Sequence, residues 1–122
     1  MVMHCLDTYA LWEILFQNPK YEFVVKQPFI LSTWTLSEFY KTLLRDLDRA
    51  TARHWFDKLQ AHAFEPELET IKRAMDFLHE HKREKFSVFD CVGYIYSLDS
   101  GYLFVTGDKS FKDKNSVLFI PS

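Results

Sequence analysis

The chain has 122 residues, 48% apolar and 17% aromatic, enough to bury the core of one domain and too apolar to remain disordered. Fifteen basic residues against 17 acidic ones leave a formal charge of −2, which excludes a global electrostatic pull on nucleic acid, so any polyanion must be held locally. No run reaches the ~18 uninterrupted apolar residues of a membrane span. The opening MVMHCLDTYALWEILF lacks a basic lead and a small-residue cleavage site, so no signal peptide is expected.

Val2 to Leu6 is short and apolar and reads as a buried strand. Thr8 to Phe16 places Tyr9, Leu11, Trp12, Leu15 and Phe16 at helical spacing. Pro19 suits the first turn of a second helix, running to about Lys26. Phe29 to Thr33 is the second strand. TLSEFYKTLLRDL then sets Leu36, Phe39, Leu43, Leu44 and Leu47 on one stripe, and TARHWFDKLQ continues as an amphipathic piece. AHAFEP is ambiguous between a short strand and a loop. PELETIKRAMDFLHEHKRE is a helix with Leu68, Ile71, Met75 and Leu78 inward. SVFDCVGYIYSLDSG is a more buried helix, closed by Gly101 just past its end. Tyr102 to Thr106 and Ser116 to Ile120 are two further strands. Strands alternating with amphipathic helices predict one α/β domain over residues 1–122. A mainly parallel sheet of about four to five strands should carry helices on both faces.

Cys5 and Cys91 each lie within an apolar pattern, which suits buried thiols in a reducing cytoplasm. Most of the acids lie on helical faces turned to water, but four do not. Asp7 follows the first strand, Glu38 begins the helix after the second, Asp90 opens the buried helix, and Asp108 follows the strand ending at Thr106. Each has an ordinary structural explanation. Asp7 can cap the helix at Thr8, Thr35 to Glu38 and Ser87 to Asp90 resemble capping boxes, and Asp108 can make a turn. Ligands of open parallel sheets bind at the carboxyl ends of the strands, where Asp7 and Asp108 fall. Convergence of all four would set carboxylates in mutual repulsion unless a hard divalent cation, Mg²⁺ or Mn²⁺, joined them. Such an ion activates a water and stabilises charge on a phosphodiester.

LDTYAL at Leu6–Leu11, LSEFYKTLLR around Glu38, FSVFDCVGYIYSLDSG around Asp90 and LFVTGDKSFK around Asp108 resemble, in order and spacing, the PIN domain family. More narrowly they resemble its small stand-alone VapC-type toxins, from about residue 4 to residue 120. The resemblance implies a compact PIN-like fold and an Mg²⁺- or Mn²⁺-dependent endoribonuclease acting on RNA. It implies that Asp7, Glu38, Asp90 and Asp108 are the catalytic and metal-holding acids, with Thr8 and Thr106 as supporting hydroxyls. It also implies a cognate antitoxin, a homodimer and a cytoplasmic location. Cys91 stands where a small Ala is frequent in that family.

Lys109 and Lys112 lie beside Asp108 and are candidate RNA phosphate contacts, against the ordinary reading of a solvated basic run. His79 and His81, two apart on a helix, point in different directions and make a poor ligand pair. Trp12 reads as core, whereas Trp55 is harder to place and is a candidate for facing a partner. A phosphoacceptor receiver domain is a different reading of an α/β chain of this size, but the acid pair it needs after the first strand is missing, since Thr8 follows Asp7. A PIN-like module that binds RNA or a partner without cutting is a third.

Overall fold

The structure, a computed structural model, describes residues 2–122. Five strands form one parallel sheet in the order β3-β2-β1-β4-β5. They are β1 (His4–Leu6), β2 (Phe29–Ser32), β3 (Ala63–Phe64), β4 (Leu103–Thr106) and β5 (Val117–Phe119). The expected α/β architecture is therefore present. The ambiguous AHAFEP segment supplies a two-residue strand, with Ala63 and Phe64 in register with Leu31 and Ser32. Val2 and Met3 lie outside β1, which is shorter than expected.

The helices are α1 (Thr8–Leu15), α2 (Glu22–Val25), α3 (Thr33–Asp46), α4 (Arg49–Leu59), α5 (Leu68–Glu80) and α6 (Val88–Ser100). Strand alternation divides the core into two layers. Leu6, Leu31 and Val105 meet Leu11, Val24, Phe39, Leu43 and Leu59 from α1 to α4. Cys5 and Phe104 point the other way, towards Ala74 of α5 and Val92, Tyr94 and Ile95 of α6. Both cysteines are buried free thiols. Trp12 and Trp55 are both half-buried against the first layer.

Several details depart from the sequence pattern. Asn18 caps a 3-10 turn over Pro19–Tyr21 before α2 begins, so the predicted second helix is two short pieces. On α3 only Leu36, Phe39 and Leu43 reach the core, while Leu44 and Leu47 are 39% and 41% exposed. Leu44 lies off the contact stripe, and Leu47 is the residue just past the end of α3. Leu68 is 85% exposed because it occupies the first position of α5, clear of the sheet. The helical pattern after Glu80 becomes a 3-10 turn at Lys82–Glu84, with Lys85 in the left-handed region at φ 57°.

The second layer fixes the site's geometry through aromatic rings. Phe111 is fully buried and packs against Phe86, Tyr94 and Phe104 with centroids 4.4, 5.3 and 5.2 Å away. These contacts clamp the turn after β4 onto α6. At Gly93, one turn along α6 from Asp90, a Cβ would stand 2.9 Å from the Phe104 ring. Gly93→Ala should therefore push α6 off the sheet and destabilise the protein by about 1–3 kcal/mol, read as a lower denaturation midpoint.

Candidate active site

Strand order reverses between β1 and β4, so their carboxyl ends border the crevice where open α/β sheets bind ligands. Asp7 follows β1 directly and is 1% exposed. Its Oδ1 accepts the Ala10 amide at 2.8 Å, so the same carboxylate caps α1 and faces the crevice. Across the switch point, the buried Thr106 ends β4, and its Oγ1 accepts the Asp108 amide at 3.0 Å. Asp108 in turn accepts the Ser110 amide at 2.9 Å, which closes the turn.

Asp90 sits in the first turn of α6, where Ser87 Oγ accepts its amide at 3.0 Å. The Ser87 cap thus forms as its sequence suggests. The other proposed box does not. Ser32 caps α3 by accepting the Thr35 amide at 3.0 Å, and Thr35 is buried inside the first turn. The extended backbone of Ser32 places its hydroxyl over the helix start, which frees Glu38 from capping. The Thr8 hydroxyl instead donates to Glu38 Oε1, tying α1 to α3 at the mouth of the site.

Asp7, Glu38, Asp90 and Asp108 line one cavity of about 680 Å³. Thr8 and Lys109 line it too. Lys112 does not, and its ammonium lies 5.9 Å from the centre of the Phe119 ring. Tyr9, Lys41 and Arg45 also line the cavity, although nothing in the sequence reading singled them out. Their signal was present in part: Lys41 and Arg45 follow Glu38 by three and seven residues, one face of a helix. His81 Nδ1 lies 2.9 Å from the Phe77 carbonyl, a local contact within its own helix end.

Tyr9 also explains Gly107. A Cβ at that position would collide with the Tyr9 ring, so the β4 turn can approach α1 only without a side chain there. The close approach keeps Asp108 beside Asp7.

Electrostatics records the convergence. Burial, followed by the charge of Asp90 and more weakly that of Asp108, raises the Asp7 carboxyl well above the usual carboxylate range. The Thr106 hydroxyl and the Ala10 amide oppose that shift. Burial pushes Asp90 up to about 7, with Glu38 and Asp108 adding to it and the Ser87 hydroxyl opposing. The donor set consists entirely of carboxyl oxygens, which fits a hard divalent cation such as Mg²⁺ or Mn²⁺. Among the described residues, no three His, Cys, Asp or Glu side chains already surround a single ion position.

No family model matches the sequence, and no curated protein matches it. Solved structures do match. Mycobacterium tuberculosis VapC20, described as a sarcin-ricin loop cleaving toxin, is 14% identical with a TM-score of 0.78, covering 98% of this chain and 99% of its own. A DNA-bound VapBC from Salmonella typhimurium is 13% identical with a TM-score of 0.74, covering 99% and 98%. A toxin–antitoxin complex from Klebsiella pneumoniae is 13% identical with a TM-score of 0.73, covering 94% and 95%. The fold class is thus an open parallel α/β sheet with acids at its switch point. The chain has the PIN-domain fold, in the form found in VapC toxins.

The raised carboxyls make the metal-free protein sensitive to pH. An acid whose folded pKa exceeds its unfolded value holds more protons when folded, so its contribution is full below its unfolded pKa and lost as pH rises through the folded one. For Asp90 that window runs from 3.8 to about 7. Asp90→Asn should therefore melt higher than the wild type at pH 8 in chelator, with the gap closing towards pH 4 in thermal scans.

Proposed function

We propose that the protein is a divalent-metal-dependent endoribonuclease and the toxin of a toxin–antitoxin pair, working as a homodimer in the cytoplasm. One observation carries the nuclease reading: four acids from four separate elements line a single cavity at the switch point of the sheet. Helix capping needs no such convergence. The likeness in fold to VapC20 and to toxin–antitoxin complexes supports the choice of RNA as substrate and of an antitoxin as partner.

Asp7, Asp90 and Asp108 would hold Mg²⁺ or Mn²⁺ directly, with Glu38 completing the set. The bound cation would supply positive charge against the phosphodiester and acidify water for in-line attack. The protein's own groups prepare that chemistry. The Ala10 amide fixes the Asp7 carboxylate, and the Thr106 hydroxyl, held by the Asp108 amide, lies beneath it. Thr8 orients Glu38 towards the cavity. Lys109 follows Asp108 and lines the same cavity, where it would meet a backbone phosphate.

A single-stranded RNA incubated with Mn²⁺ or Mg²⁺ should be cut internally, and chelator should stop the reaction. Asp7→Asn keeps an N-cap oxygen, so it should fold, yet its cleavage should fall to the level of the chelated wild type. Cleavage that survives either chelator or Asp7→Asn, followed by gel electrophoresis of end-labelled RNA, removes the mechanism.

A further inference from the structure

Beyond the four acids, the cavity carries a feature that their chemistry does not require. α3 leaves the carboxyl end of β2 with Glu38 in its second turn, and then presents Lys41 and Arg45 to the same cavity. The three residues fall at i, i+3 and i+7, on one helical face. Lys41 and Arg45 stand about 6 Å apart along the axis, so a strand laid along the helix meets one cation after the other.

We propose that Lys41 and Arg45 form a phosphate track, which leads one strand of the substrate RNA away from the acids along α3. The inference rests on the ribonuclease reading and adds the direction in which the strand leaves. Both side chains are exposed, with no burial penalty to offset. Arg45 pairs with Asp46 through Nε and Nη2 at 2.8 and 3.1 Å, which uses two of the guanidinium's five N–H donors and leaves three for a phosphate. Lys41 forms no salt bridge among the described residues. Lys109, on the turn after β4, lines the same cavity from a different element, so two elements supply cations to it. A chain with a net charge of −2 holds a polyanion only through such local groups.

Lys112, which lies outside the cavity, serves as the internal control. The probe is a 12-nucleotide single-stranded RNA, followed by fluorescence anisotropy with chelated protein between 50 and 200 mM salt. Each lost phosphate contact lowers the salt slope by about 0.7 for a single strand. The Lys41→Ala/Arg45→Ala double variant should therefore show a slope smaller by about 1.4, which is about sevenfold less affinity lost over that salt range than in the wild type. Lys112→Ala should keep the wild-type slope. In the Mn²⁺-dependent cleavage assay the double variant should raise KM, and matching melting temperatures would establish that it is folded. A wild type that cuts RNA, beside a double variant with unchanged slope and unchanged KM, overturns the track and leaves the ribonuclease reading standing. A wild type that neither binds nor cuts RNA overturns both.

Discussion

The structure depends on one costly arrangement: the carboxylate of Asp7 is buried beside those of Asp90 and Asp108. Desolvation and like charge both oppose its ionisation. Much of the surrounding structure holds the acids together against that repulsion. Asp7 is pinned by the helix it caps, Asp90 by the Ser87 hydroxyl on its amide, and Asp108 by its own turn. The buried rings of Phe86, Tyr94, Phe104 and Phe111 fasten that turn to the helix bearing Asp90. A core of this kind serves the site as much as it serves stability.

How much of this could be read in advance differs from residue to residue. Asp7 and Asp108 were legible because strand ends in a parallel sheet point to one edge, and short apolar runs mark those ends. Asp90 needed the additional fact that α6 starts at that edge. Glu38 was found, but with a misplaced helix start. Ser32 ends β2, as the strand pattern predicts, and its hydroxyl also caps the helix. A Ser at a strand–helix junction satisfies both patterns, and only backbone direction separates them. Leu44, Leu47 and Leu68 misled because helical periodicity identifies an apolar face without saying whether a neighbour covers it. β3 was hard to see because its two residues leave no room for alternation. Lys41 and Arg45 went unnoticed because a charged helical face usually means solvent, and here it borders the site.

Fold and sequence carry different parts of the identification. At 13–14% identity over nearly the full length, the similarity to VapC20 and to toxin–antitoxin complexes establishes architecture. The chemistry rests on side chains in one cavity of this molecule. Those side chains combine a hard-oxygen floor with cations on two elements, in a chain whose overall charge is slightly negative. Acids and cations therefore line the same cavity, and the net charge conveys none of that arrangement.

Tyr9 and Gly107 share a volume that holds only one side chain. The two positions are therefore bound to change together. A homologue bearing a bulkier residue after the fourth strand should carry a small one two positions past the acid that follows the first strand. Such a pair, exchanged in compensation, would preserve the separation of two carboxylates that neither residue touches chemically.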